Sequence, residues 1–557
     1  MNIVKIILIL LLWIFFSESL SSAQEASPFL SGTQIDLKSF GAKGDGYYDD
    51  TVAIQSAIDS LSSKGGTILV SSLHKITATL KVSSNITIIG ITPGAGFLFS
   101  GNMVKDNTFS ASIKSTIILI NLKLVGDKSG SVVNSNYGNA IRCVGCKNII
   151  IRNCHIHSFP QAGISFVQTT FSSIKDNFIY DIASPTDVPA VAGITLEGDC
   201  SDIEIIGNVI EDIGNKVSDY GGIGIRCIIQ NIDHGSPKKV TLTKNVIKNV
   251  QEHGIVFYNS KNQEESDSFI ANNTIVKTGN RRFNKDSPNE RGNGIYALNV
   301  SSLNITDNEI SETNINVSGN NILKGAIAIA NTTENKGPVF ISENSIFNAC
   351  KNGIQVQGHC ANLTITKNRI TNPKERSIII GGCENAQINE NTIVQMNIEY
   401  PVVMLTATPT SCKNVVIINN NISNGSTSVY INRGKSINIS NNLVKDFNKH
   451  AIFSNDGSDI NVSKNSIELK KNRLAFYSKG KHINSFFKDN RIEIDENNEN
   501  PYIQNESLGF CVIVKGSTAP NRGTWQAKDT VINTSPSGVT EWICVESGIP
   551  GKWTPTF

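Results

Sequence analysis

The sequence predicts an all-β solenoid, a parallel β-helix. Three observations carry that prediction: a six-residue pattern recurring in one frame, a Gly-Ile strand pattern that precedes it, and a composition rich in turn formers and branched aliphatics. The pattern Ile-x-x-Asn-x-Ile, with other apolar residues allowed at the Ile positions, places Asn at 177, 208, 245, 273, 308, 344, 368, 391, 420, 442, 465 and 490. Extending the frame backward puts Cys154, Leu122 and Ile89 at the same position. The smallest interval, 22 residues between Asn420 and Asn442, sets the unit, and longer intervals are that unit plus inserted loops. The second pattern reads Gly-Ile-Ser-Phe at 163–166, Gly-Ile-Thr-Leu at 193–196, Gly-Ile-Gly-Ile at 222–225, Gly-Ile-Val-Phe at 254–257, Gly-Ile-Tyr-Ala at 294–297 and Gly-Ile-Gln-Val at 353–356. Strands this short cannot bury a face alone, so they must stack coil on coil. An Asn at the same inward turn of each coil can pass its amide to the next, satisfying donors that would be costly if buried unpaired. The 65 Asn and 44 Gly suit tight turns, and the dense Ile and Val exclude disorder. At 557 residues the chain exceeds one compact core, as an elongated repeat would.

Taken in order, residues 1–23 read as an export signal. Lys5 supplies the positive start, Ile6 to Phe16 is an unbroken apolar run, and Ser21-Ser22-Ala23 offers a cleavage site after Ala23. The alternative is an uncleaved anchor, for which that run is short. The chain is therefore expected to be secreted, extracellular or periplasmic, with no membrane span after cleavage. Residues 24–70 form the cap of the solenoid. Asp or Thr at 49–51 can start a helix whose Val52, Ala53, Ala57, Ile58 and Leu61 make an apolar stripe, ended by Gly65-Gly66. Residues 71–500 are the solenoid. From 506 to 557 the period is lost and a small β module follows, with three of the four Trp, Trp525, Trp542 and Trp553. Those rings either form the core of the module or stack on sugars. Eleven Cys, an odd number at irregular spacing, read mostly as small buried apolar residues, with Cys511–Cys544 a candidate disulfide. No metal-ligand spacing stands out.

Phe40-Gly41-Ala42-Lys43-Gly44-Asp45-Gly46, Asp49-Asp50-Thr51 and Ala53-Ile54-Gln55-Ser56-Ala57-Ile58 resemble the N-terminal motif of the pectate lyase superfamily, which includes polygalacturonases, rhamnogalacturonase-like proteins and phage tailspikes. The resemblance covers residues 35 to about 495 and implies that the solenoid is a right-handed parallel β-helix. It is specific for fold and much less so for chemistry.

Net charge of +2 with no basic run gives no footprint for nucleic acid. Five consecutive oversized intervals lie between Asn177 and Asn344, and long loops on neighbouring coils wall a groove. With Ile inward on each Gly-Ile strand, Glu197, Arg226 and Tyr258 fall at equivalent outward positions and are expected to form a ladder, with His253 and Tyr296 beside it. Gln355 and Gln357 continue the outward positions, and flanking loops add Asp199, Asp219, Tyr220, Glu252, Glu290 and Arg291. The candidate catalytic set is Glu197, Arg226, His253 and Tyr258. The candidate substrate-binding set is Tyr220, Arg291, Tyr296, Gln355 and Gln357. Arg pairs with a uronate carboxylate, aromatic rings stack on sugars, and Tyr, His or Arg can take a proton. The plainer reading of Glu197–Arg226 is a surface ion pair between coils.

In polygalacturonases three adjacent coils carry Asn-Thr-Asp-Gly-Ile, Asp-Asp-Cys-Ile and Gly-His-Gly-Ile. The matching segments here are Ala190-Val191-Ala192-Gly193-Ile194, Tyr220-Gly221-Gly222-Ile223 and Glu252-His253-Gly254-Ile255. His253 matches the histidine, but both aspartate positions are lost, so that mechanism does not carry over. The expectation is a secreted protein that cleaves a polysaccharide, uronate-containing by first choice, as lyase or hydrolase. Calcium would be a cofactor only for a lyase. A non-catalytic polysaccharide-binding adhesin or tailspike-like recogniser is the alternative, and a homotrimer is left open.

Overall fold

The computed structural model describes residues 32–101, 107–128, 137–184, 191–214, 222–229, 235–259, 266–279, 292–315, 323–335, 337–408, 410–470, 472–494, 502–535 and 538–557. The segment read as an export signal, residues 1–23, and Asp219, Tyr220, Glu290 and Arg291 lie outside the described residues.

Each coil contributes three strands, as in Ala192–Glu197, Ser201–Ile206 and Val209–Ile213. Each pairs in parallel with its equivalents in the coils before and after. We call the three resulting faces first, second and third. The third-face strands form a 16-stranded sheet that starts at Leu73–Ile76 and ends at Arg491–Ile494. Toward the C-terminus, where the repeat interval is shortest, the first two faces run together into single long strands, Thr427–Ser440, His450–Ser463 and Leu474–Lys488.

The turn between the second and third faces explains the repeat. The residue before each ladder Asn is left-handed, as at Asp176 (φ 56°), Lys244 (φ 57°) and Asn272 (φ 55°), which turns the Asn side chain into the core. Asn177 then donates its backbone N–H (3.0 Å) and its Nδ2 (2.9 Å) to Oδ1 of Asn208. The same two bonds recur along the ladder and end with Asn465 donating to Asn490. Flanking aliphatics such as Ile179, Ile210, Ile247 and Ile275 are completely buried.

At the N-terminal end the helix Thr51–Ser60 buries Ile54, Ala57 and Ile58 on the first coils, with Leu61 following. Val52, expected in that stripe, is 79% exposed, and Ile54 takes its place. The Asp50 side chain makes no cap bond to the helix. Its carboxylate instead accepts the N–H groups of Lys43 (2.7 Å) and Gly44 (2.8 Å) and pairs with buried His74 Nδ1 (2.7 Å), fastening the glycine loop to the solenoid.

At the other end, Ile503–Gly516 pairs with Leu474–Lys488 and then with Thr530–Asn533. Two antiparallel strands, Glu541–Glu546 and Lys552–Thr556, complete this sheet. Trp525 is buried and packs edge-on against Trp553 at 5.2 Å, so those two rings serve the core. All eleven cysteines are free thiols, nine of them buried. The Cys511–Cys544 disulfide is not formed: Cys544 Sγ donates to the Glu546 carbonyl at 3.2 Å.

Candidate functional site

The predicted site residues lie on the first face, but not in the straight ladder that the Gly-Ile pattern suggests. Thr195, not Glu197, is opposite Arg226, and Arg226 is in turn opposite Val256. Glu197 stands opposite Ile228, and Ile228 opposite Tyr258. The coil is offset by two residues because Gly222-Ile223-Gly224-Ile225 contains two Gly-Ile pairs, and a shift of two keeps isoleucine inward in either register. Glycine decides between them. A Cβ at Gly193 would lie 2.8 Å from the Gly224 carbonyl, one at Gly224 2.5 Å from that of Gly254, and one at Gly254 2.6 Å from that of Gly294. Gly224 must therefore align with Gly193 and Gly254. The polygalacturonase-like segment of this coil is consequently 222–225 and not 220–223, and it still carries no acid.

Two outward columns result. One runs Arg142, Ser165, Thr195, Arg226, Val256, Tyr296, Ala328, Gln355. The other runs Val144, Val167, Glu197, Ile228, Tyr258, Leu298, Ala330, Gln357. Arg226 reaches diagonally between them: its Nη1 lies 2.8 Å from Glu197 Oε1 and 3.4 Å from Thr195 Oγ1. Glu197 is only 6% exposed, so this is a largely desolvated pair and not a loose surface contact. Arg142, which the sequence reading missed, donates to Ser165 Oγ at 2.9 Å. Burial pushes its pKa down and the charge of Glu197 opposes that shift. One carboxylate thus faces two guanidinium groups.

Beside this cluster Ala192, Ile223 and Val256 form a small apolar patch against which Ile228, Tyr258 and Tyr296 pack. His253 stacks on Tyr296, with ring centroids 5.0 Å apart and planes 13° from parallel. Its Nδ1 accepts the Asn293 N–H at 3.2 Å, so the neutral ring carries its hydrogen on Nε2. Glu252 is buried next to it, and so is Gln251, whose amide oxygen and nitrogen have no hydrogen-bond partner among the described residues. Farther along, Gln355 Oε1 accepts bonds from Lys324 N–H and Asn352 Nδ2, both at 2.9 Å. Gln357 lines a recess of about 200 Å³ with Ile379, Thr406 and Thr408. A larger recess of about 590 Å³, lined by Ile91, Lys123 and His155, contains none of the predicted residues. Among the described residues no group of three or more His, Cys, Asp or Glu is placed to hold a metal ion.

A family model described as "Right handed beta helix region" matches residues 93–275, 213–395 and 325–519. The chain belongs to the right-handed β-helix family. The right-handed β-helix is similar in fold to the Dettilon tailspike protein, with TM-score 0.44 and 15% identity over 70% of this chain and 67% of that one. It is similar to a GH87 α-1,3-glucanase from Streptomyces thermodiastaticus, with TM-score 0.40 and 16% identity over 76% of this chain. It spans 65% of that glucanase chain. For an exopolygalacturonase from Thermotoga maritima the TM-score is 0.38 and the identity 13%, over 75% of this chain and 92% of that one. No curated protein sequence matches the chain. Among the described residues no helix is long and apolar enough to cross a membrane.

Proposed function

We propose that this β-helix is a secreted protein that binds an acidic polysaccharide across its first face, around coils 192–298, and cleaves it. The observation that carries the reading is the Glu197–Arg226 pair at 2.8 Å with Arg142 nearby, two desolvated guanidinium groups around one carboxylate beside half-buried tyrosines. Fixed guanidinium groups in a low-dielectric site recognise a carboxylate and stabilise the negative charge that develops when its neighbouring proton leaves. In this reading Glu197 orients Arg226, Arg226 neutralises the uronate carboxylate, and Tyr258, acting as the tyrosinate, takes the proton at C5 and passes it to the glycosidic oxygen as that oxygen's bond to C4 breaks, leaving a C4–C5 double bond. Tyr296 supplies a stacking face, and His253 donates from Nε2. Tyr220, Arg291, Gln355 and Gln357 are proposed as further sugar contacts. Elimination is favoured over hydrolysis because the partners of Glu197 are arginines, whereas glycosidases pair two carboxylates.

A second reading, recognition without cleavage, draws support from His253. With Nδ1 already accepting, its neutral ring has no free lone pair to act as a base.

The test presents the protein with polygalacturonate, alginate, rhamnogalacturonan and neutral glucans, following reducing ends and the ultraviolet absorbance of unsaturated uronate. Both are run with and without calcium, which would neutralise the same carboxylate as Arg226. Elimination predicts that both signals rise together and that Arg226→Ala and Tyr258→Phe abolish them. Reducing ends without absorbance would transfer the chemistry to Glu197 as a hydrolase. Binding without either signal would leave recognition alone.

A further inference from the structure

The column that contains Arg226 does not stop at the candidate site. From Gln355 it continues in unbroken register through Ile379, Met404, Tyr430, Phe453 and Tyr477. The last three are aromatic on successive coils. Tyr430 stacks on Phe453 at 4.8 Å, and Phe453 meets Tyr477 at 5.0 Å. His450 joins them, 5.8 Å from Phe453 and 5.3 Å from Tyr477. Lys479 Nζ lies 5.6 Å from the Phe453 centroid, and Tyr477 donates its hydroxyl to Glu506 at 2.9 Å. Tyr430, Tyr477 and His450 are half-buried on the outside of the solenoid, where no core calls for aromatic rings, while Phe476 and Phe487 of the same coil fill the interior.

Midway along this track, Gln357 Oε1 is buried and has no hydrogen-bond partner among the described residues, and Gln357 lines the recess shared with Gly381 and Thr406. An unpaired buried acceptor there points to a ligand that supplies a hydrogen, as a hydroxyl does.

We infer that Tyr430, Tyr477, His450 and Lys479, packed around the buried Phe453, form a distal glycan-binding ladder that holds the same polysaccharide as the first-face site. Arg226 and Tyr430 are seven strands apart along the column, roughly 34 Å at about 4.8 Å per strand. A polymer laid parallel to the solenoid axis reaches both regions, and a short oligosaccharide reaches only one. Aromatic faces stack on the apolar faces of sugar rings, and Lys479 adds a cation for an acidic polymer. The polymer's identity rests on the function proposed above. The ladder itself does not.

The test measures retention of the full secreted chain by affinity electrophoresis in gels containing polygalacturonate or alginate, and binding of the corresponding tetrasaccharides. The Tyr430→Ala/Tyr477→Ala variant is expected to bind the polymer about tenfold or more weakly, because the second contact of a bivalent grip is lost. Its tetrasaccharide binding should stay unchanged, and its far-ultraviolet circular dichroism should match that of the wild type. Tyr430→Phe/Tyr477→Phe, which keeps the rings, should restore polymer binding. Arg226→Ala with the ladder intact should still be retained but should not cleave; ladder-dependent retention of the wild type without cleavage would refute the proposed catalysis while upholding the ladder. Wild-type polymer affinity in the alanine variant, equal loss of polymer and tetrasaccharide binding, or no retention of wild type by either polymer would overturn the inference.

Discussion

Asn308 sits in the middle of the Asn ladder, where each side chain bonds the coils on both sides of it. Its Oδ1 accepts the Asn273 N–H at 3.0 Å and Asn273 Nδ2 at 2.9 Å, and its own Nδ2 donates to the Ile270 carbonyl at 2.8 Å. Asn308→Ala removes these bonds while leaving the Asn308 backbone bond to Asn344. Asn273 Nδ2 keeps its bonds to the Leu242 and Ala271 carbonyls, so the main orphan on that side is its buried backbone N–H. On the other side the Ile270 carbonyl loses a donor. At about 1–3 kcal/mol for each buried group left unsatisfied, the loss is about 4 kcal/mol. Asn304→Ala, outward on the preceding strand, is the control and should cost about 0.5 kcal/mol or less. In so long a repeat, local opening is a better readout than a global melt. Amide hydrogen exchange at Asn273 should therefore speed by roughly a thousandfold in Asn308→Ala and remain near wild type in Asn304→Ala. Equal exchange in the two variants would refute the idea that the ladder holds the coils together.

Asp50→Ala strips the glycine loop of its acceptor and leaves His74 without its partner, so the N-terminal cap should open to protease around 43–50 before the solenoid does; uniform resistance would contradict this. Glu197→Gln removes the carboxylate that faces half-buried Arg226 and buried Arg142 and should destabilise the protein by about 3 kcal/mol, while the Glu197→Gln/Arg226→Gln double variant should recover much of that loss. Burial lowers the His482 pKa from 6.5 to about 4, so its contribution is fully present above pH 6.5 and is lost as pH falls toward 4. The amount is about 3 kcal/mol. Asp529, pushed up to about 6 by burial, acts in the opposite sense, its stabilisation fading as pH rises through 6. The difference between wild type and His482→Gln in urea melts from pH 7 to 4 isolates the histidine.

The fold was legible because its two strongest constraints are local and periodic. A left-handed residue followed by an inward Asn leaves a fixed spacing in the sequence, and every ladder position from Asn177 to Asn490 could be read from it. The site was less legible because strand register depends on contacts between coils. Gly222-Ile223-Gly224-Ile225 satisfies the hydrophobic pattern in two ways, and only the close approach of Gly224 to Gly193 and Gly254 selects one. Arg142 was missed for a related reason. Its strand, Asn139–Val144, carries Ala140 where later coils have Gly, so the Gly-Ile pattern starts only at the next coil. Val52 and Ile54 exchanged places because helix amphipathicity over so few residues fixes the buried face only loosely, and packing on the first coils decides it.

The central claim is that the first face holds an acidic glycan against Arg226. A crystal structure of the Tyr258→Phe variant soaked with a uronate tetrasaccharide tests it most directly. The account predicts a sugar carboxylate within hydrogen-bond distance of the Arg226 or Arg142 guanidinium and a sugar ring against Tyr296. An oligosaccharide seated instead in the recess lined by Lys123 and His155, or an empty first face at saturating ligand, would contradict it.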